Sequence, residues 1–213
     1  MTRLAVLSTS DTDLLSARAS GADWAVGNPS RLDVDTDLGG LLDGTDLVIV
    51  RILGSAKSWQ NGLDAVLARG VPVVVLGGEQ TPDAELMSYS TVPIGTAAEA
   101  HRYLAHGGPT NLAQLHAFLS DTVLLGGEGF EPPAELPEWG VLDRPAPAVE
   151  SLPRVGVLFY RAHHTSGNVQ FAHDLADAID ATGKAHAVVV HCASLRGAPD
   201  DLLAELGTLD AWS

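Results

Sequence analysis

Between Arg154 and Cys192 the sequence changes its hydrophobic period twice, and those changes dictate a βαβ unit. Val155, Val157, Leu158, Phe159 and Tyr160 form an almost continuous apolar run, the pattern of a parallel strand buried on both faces. A polar loop follows, Arg161-Ala162-His163-His164-Thr165-Ser166-Gly167-Asn168. Phe171, Leu175 and Ile179 then recur at four-residue spacing, with Ala172, Ala178 and Thr182 beside them. That spacing predicts a helix whose core face runs through Phe171, Leu175 and Ile179. Gly183 stands where a glycine is expected after a helix end. A second apolar run, Ala187 to Val190, ends in His191-Cys192. Two parallel strands joined by a helix take a right-handed crossover.

In such a unit the loop after the first strand lies at the carboxyl edge of the sheet, where open α/β folds bind their ligands. Arg161, His163, His164 and Asn168 are therefore the best-placed polar residues in the chain, and they are the candidate substrate contacts.

The residues before this unit read as a small doubly wound, flavodoxin-like domain over 1–126. Short apolar runs at Leu4 to Leu7, Trp24 to Val26, Leu47 to Val50 and Val73 to Leu76 alternate with helical patterns. The helices include one through Ala19, one marked by Trp59, Leu63, Val66 and Leu67, one from Ala97 to Ala105, and one that starts at Asn111 as its cap. The stretch 127–153 holds Pro132, Pro133, Pro137, Pro145, Pro147 and Pro153 and suits neither a long helix nor a central strand. It reads as an interdomain connector in which Phe130, Trp139, Val141 and Leu142 still need packing partners. Residues 154–213 then form the start of a second βαβα unit, with a helix from Pro199 to Leu206 and a third strand opening at Leu209-Asp210-Ala211. Two complete strands leave both sheet edges open, so this second α/β unit is expected to be incomplete and the chain a fragment of something longer.

Charge excludes some partners. Twelve basic against 27 acidic residues give a formal charge of −15, which repels nucleic acid and anionic membranes. The single cysteine, Cys192, permits no internal disulfide and suits a reducing cytoplasm. No apolar run approaches the ~18 residues of a membrane span.

Several motifs have simpler explanations than a site. Asp11 and Asp13 at the helix start after Ser8 complement the helix dipole and would repel a phosphate, so helix capping is the expected role. Gly77-Gly78-Glu79-Gln80 reads as a turn. His101 and His106 read as structural, and Asp174, Asp177 and Asp180 as a solvated helix face. No G-x-x-x-x-G-K-[ST], H-E-x-x-H, paired C-x-x-C or G-x-S-x-G occurs. His163, His164, His191 and Cys192 offer imidazole and thiolate. Adjacent side chains point apart, however, and no spacing here is a ligand pattern, so no metal site is expected.

The strand-YRAHH-x-x-GN-helix stretch, followed by a strand and C-x-SLR (Cys192, Ser194, Leu195, Arg196), resembles the CobN/magnesium-chelatase large-subunit family. So do LSTSDTDLLSAR (Leu7 to Arg18), NPSRL (Asn28 to Leu32), VIVRILGS (Val48 to Ser55) with Trp59, GGEQTPDAEL (Gly77 to Leu86) and YLAHGGPTNL (Tyr103 to Leu112). LSTSDTDLL and RILG place the resemblance with the amino-terminal part of the cobalt branch. The resemblance implies a subunit that inserts Co²⁺, as substrate, into hydrogenobyrinic acid a,c-diamide in aerobic cobalamin synthesis. It implies ATP used by an AAA+ partner, with subunits of the CobS and CobT type, and no cofactor held by this segment. It further implies that the catalytic groups lie in later domains, so that this chain alone is inactive. Two other hypotheses stand beside it: a non-catalytic flavodoxin-like module that binds a tetrapyrrole or a partner, and a small metalloprotein built on His163, His191 and Cys192.

Overall fold

The computed structural model describes residues 2–145 and 151–212. The chain divides into two compact units, Met1–Glu135 and Leu136–Ser213.

In the first unit, strands β1 (Leu4–Ser8), β2 (Trp24–Gly27), β3 (Leu47–Ile52) and β4 (Val73–Gly77) form one parallel sheet in the order β2-β1-β3-β4. This is the flavodoxin-like winding. β1, β3 and β4 are buried at every position, as apolar runs with no polar face require. Helices cover both faces: α1 (Asp11–Ala19), α2 (Leu38–Leu41), a 3₁₀ turn leading into α3 (Gln60–Leu67), α4 (Ala84–Met87), α5 (Ile94–His106) and α6 (Pro109–Leu124). Leu4, Val6, Ile49 and Leu76 meet α1, α5 and α6 through Leu14, Leu104, Leu115 and Leu119 on one face. Leu7, Val48 and Val50 meet Leu38, Leu63 and Val66 on the other. Asn111 does not cap α6 but lies in its first turn. Its amide donates to the Gly107 and Ala134 carbonyls at 2.8 and 2.9 Å and accepts from the Ala134 N–H at 2.8 Å.

The second unit holds β5 (Trp139–Val141), β6 (Arg154–Tyr160), α7 (Arg161–Thr165), α8 (Gln170–Ala181), β7 (His186–Cys192), α9 (Asp200–Leu206) and β8 (Ala211–Trp212). Its sheet runs β5-β7-β6-β8, with β5 antiparallel to β7 and the others parallel. α8 lies over one face, where Ala172 and Ala176 meet Val157, Phe159, Ala187 and Val189. α9 lies over the other, where Leu202 and Leu206 meet Val188, Val190 and Cys192.

The stretch 127–153 is shared between the units. Phe130 stacks edge-on against Phe118, the Tyr103 hydroxyl donates to the Glu131 carbonyl, and Asp121 accepts the N–H groups of Glu128 and Gly129, all within the first unit. Trp139 and Leu142 pack in the second, beside β5. Pro147 lies outside the described residues.

Three further expectations are corrected. The polar loop after β6 is not all loop, because Arg161–Thr165 close one helical turn. The third strand begins at Ala211 rather than at Leu209, since the Leu209 N–H still bonds back to Leu206 in the turn after α9. The core face of α8 is Ala172, Ala176 and Ile179, while Phe171 and Leu175 stay 45% and 51% exposed. Small residues let the helix approach the sheet closely, so alanine rather than the bulkier residues takes the inner face. Among the described residues no helix is long and apolar enough to cross a membrane.

Candidate functional site

β6 and β7 run side by side from Arg154↔His186 to Tyr160↔Cys192. Their ends therefore bring α7 and the residues after Cys192 to one carboxyl edge. His191 points from β7 toward the face that carries α7. Its ring lies parallel to that of His164, with centroids 4.0 Å apart and planes within 6°. Phe159 meets the same ring edge-on at 6.1 Å. Gly140 of β5 makes room on the far side, since a Cβ there would sit 2.8 Å from His191 Nε2. His191 is 4% exposed, and its Nδ1 has no hydrogen-bond partner.

Burial, the nearby His164 ring and the Arg161 charge together hold the His191 imidazole at a pKa of about 4. Burial and then Arg161 also lower His164. Stacked imidazoles repel when both are charged, so a neutral pair at neutral pH is the state this geometry favours. Burial raises the Cys192 thiol above its ordinary range, so it stays protonated and a poor nucleophile.

The four candidates do not converge on one point. His163 turns away from His164, with its ring edge-on to Phe171 at 5.2 Å and Nδ1 3.5 Å from the Asn168 side-chain nitrogen. The Asn168 N–H closes the loop on the His163 carbonyl at 2.9 Å. Arg161 opens α7 and supplies positive charge to the His164–His191 stack. Among the described residues no group of three His, Cys, Asp or Glu side chains could hold a metal ion, so His163, His191 and Cys192 do not form a metal set.

Beside the stack opens a cleft of about 560 Å³, lined by Leu158, Tyr160, Cys192, Ser194, Arg196 and Trp212 among others. None of the four candidates lines it. The C-x-SLR motif points to its Cys192 and Arg196. Tyr160 opens the YRAHH motif, whereas Trp212 carries no signal beyond its place at a strand end. The edge offers stacking surfaces, a hydroxyl and guanidinium groups, which suit contact with a planar or carboxylate-bearing ligand. Its imidazoles are weak bases, because burial lowers their pKa, and its thiol is not an activated nucleophile.

In the first unit the carboxyl ends of β1 and β3 are filled, whereas a cleft of about 460 Å³ opens at the end of β2, lined by Asp11, Arg18, Gly27, Asn28 and Arg31 among others. Arg51 reaches from β3 to Asp13 of α1, and its remaining donors go to the carbonyls of Gly77, Gly78 and Leu104. Asp13 therefore does not cap α1, and Asp11 bonds Asn28 and Arg31 instead. The Gly77–Gln80 turn is held by these carbonyl bonds and by His101 Nε2, 3.0 Å from the Glu79 carbonyl. Asp180 is not merely solvated. It accepts the Ala187 N–H at 2.7 Å and pairs with Arg144 at 2.7 Å and with His186 at 3.3 Å.

Comparison with known proteins places these features in a family. Residues 101–210, just over half the chain, match the sequence profile described as CobN/Magnesium Chelatase. The chain is 29% identical to an aerobic cobaltochelatase subunit CobN of Sinorhizobium sp over an alignment of 237 positions, covering 96% of this chain and 18% of that protein. It is 25% identical to the Pseudomonas aeruginosa subunit of the same name, covering 84% of this chain and 16% of that protein. A solved structure titled catalytic subunit of cobaltochelatase from Mycobacterium tuberculosis superposes with a TM-score of 0.82 at 50% identity, over 99% of this chain and 18% of that one. The chain thus spans less than a fifth of the length of these relatives.

Proposed function

The chain belongs to the CobN/magnesium chelatase family, and from that premise we propose that it is the amino-terminal segment of a cobaltochelatase large subunit. The substrates of the whole subunit are Co²⁺ and hydrogenobyrinic acid a,c-diamide, in aerobic cobalamin biosynthesis. ATP is hydrolysed by an AAA+ partner of the CobS type, together with a CobT-type subunit, in the cytoplasm. The likeness that carries this reading is the 50% identity to the Mycobacterium tuberculosis catalytic subunit along 99% of the chain. The lack of a P-loop motif in the sequence agrees with ATP hydrolysis by a partner.

Metal insertion needs a base for the pyrrole protons and a site that holds the macrocycle distorted. The edge built from His164, His191 and Cys192 supplies only weakly basic imidazoles and a protonated thiol. This reading assigns the catalytic groups to later residues and leaves this segment inactive by itself. In this reading the loop of Arg161, His163, His164 and Asn168 is structural or, at most, a contact to the substrate or to another domain, and not to the metal. The test mixes the purified chain with CobS- and CobT-type subunits, ATP, Co²⁺ and the diamide, and follows the corrin absorption spectrum. No change is expected with the chain alone, whereas the full-length subunit inserts cobalt. Insertion by the 213-residue chain overturns the assignment of catalysis to later residues. Failure of the full-length subunit overturns the chelatase reading itself.

A further inference from the structure

Both units contain the same winding. β2-β1-β3 in the first and β7-β6-β8 in the second each place a parallel strand between the next two in sequence. In the first unit β3 pairs along the whole of β1, from Leu4↔Leu47 to Ser8↔Arg51. In the second, β8 pairs with β6 only at Val155↔Ala211 and Gly156↔Trp212. From Val157 to Tyr160, β6 is bonded to β7 on one side and, among the described residues, to no strand on the other. The cleft opens at this end of β6, lined by Leu158, Phe159, Tyr160 and Trp212 and, from the end of β7, by Cys192 and Arg196 among others. A strand edge with unpaired N–H and C=O groups is a template for another strand.

α8 provides a second, independent observation. Its counterpart α1 buries Asp13, Leu14, Ser16 and Ala17, whereas α8 buries only Ala172 and Ala176. The difference lies in what covers the helix. α6 packs against α1 and brings Leu112, Leu115, Phe118 and Leu119 into the same core. No described helix of the second unit takes that place, and Phe171 and Leu175 are left about half exposed.

We propose that a strand and a helix from elsewhere in the same subunit, outside residues 1–213, complete the second unit. The strand continues the line of β8 along Val157–Tyr160 and forms the wall of the cleft on that side. The helix covers Phe171 and Leu175 as α6 covers α1. The strand is apolar on both faces, because it enters a sheet with α8 on one side and α9 on the other. The helix presents an apolar i, i+3, i+4 stripe, with a basic residue opposite the exposed carboxylate of Asp174. This inference rests on the reading that the chain is part of a longer chelatase subunit, whose relatives exceed it more than fivefold in length.

The test compares the full-length subunit with the 213-residue chain. Hydrogen exchange is followed for amides in 157–160, and thiol alkylation for the Leu175→Cys variant, both read by peptide mass spectrometry. In the full-length subunit the β6 amides that point away from β7 exchange roughly 100-fold more slowly than in the short chain, as buried strand amides do. Alkylation at position 175 of the variant slows by a similar factor. Fast exchange and fast alkylation in the full-length subunit overturn the proposal, whether or not the short chain folds well enough to serve as reference. Protection in the full-length subunit that grows with its concentration also overturns it, because a second copy then fills the edge. An immunoblot of source cells separates this from the underlying reading. A native band near 22 kDa alone removes the longer subunit, whereas a much larger band with an open β6 edge removes only the inference.

Discussion

Arg51 Nη1 lies 2.9 and 3.0 Å from the two carboxylate oxygens of Asp13, and both side chains are 6% exposed. The Ser8 hydroxyl donates to the same carboxylate at 2.6 Å. These three residues come from the ends of β3 and β1 and from the start of α1. They occupy the β1/β3 switch point, where a doubly wound sheet otherwise holds a ligand, and at that point the first unit carries an internal tie.

Removing one partner leaves a buried charge without its mate. Asp13→Ala is expected to destabilise the first unit by about 3–5 kcal/mol. Arg51→Met removes the charge but also strands three carbonyls, and a loss of similar size is expected. Urea denaturation followed by the fluorescence of Trp24 and Trp59 measures both. A change below about 1 kcal/mol in either variant would show that the pair contributes specificity rather than stability.

Asp180 holds the other structural tie. Burial pushes its carboxyl up, but the Ala187 N–H, Arg144 and the charge of His186 outweigh that and hold it below the usual range. Asp180→Ala leaves the Ala187 N–H without its acceptor and the largely buried Arg144 with only Asp177, at a cost of about 2 kcal/mol. Asp177→Ala removes a more exposed contact to the same arginine and is expected to cost less than about 0.5 kcal/mol. Thermal unfolding of the two variants side by side decides whether burial sets the difference.

The winding of both units is legible in the sequence because buried parallel strands carry a period that few other structures share. Val155–Tyr160 and Ala187–Val190 have no polar face to misplace. The α8 face is not legible. Phe171 and Leu175 outweigh Ala172 and Ala176 in hydrophobicity, and only the closeness of helix and sheet reveals that alanine belongs inside. Asp13 looks like a helix-dipole residue in its local sequence because its partner, Arg51, lies 38 positions away, beyond any local pattern. Trp139–Val141 carries no strand signal, because three residues amid prolines make a strand only when β7 offers an edge.

Cys192 follows from the same burial. Its thiol is 5% exposed and its pKa is raised by that burial. Iodoacetamide at about pH 8 is expected to react at least about 100-fold more slowly with the folded chain than with the chain in urea, since only the accessible thiolate is nucleophilic. Rates that agree within a factor of about three, as read by mass spectrometry, would mean that the end of β7 opens in solution.

The stacked pair His164–His191 makes the second unit acid-sensitive. An unfolded histidine titrates near 6.5, whereas folding holds His191 at about 4. The folded pKa is the lower one, so the unfolded chain takes up the proton first as the pH falls. The stabilisation is complete above about pH 6.5, declines from there to about pH 4, and is gone below it. Over that window the loss is on the order of 3 kcal/mol. The His164 ring and Arg161, both of which oppose a charge on His191, keep the transition low. His191→Phe preserves a ring against Phe159 and His164 and removes the proton site. Its stability should therefore stay flatter than that of the wild type between about pH 6.5 and 4, with the residual slope set by carboxylates such as Asp180. Denaturation midpoints at half-unit steps of pH measure this directly. Parallel curves for the two proteins would mean that His191 is protonated without cost, and that the stack with His164 opens before the fold does.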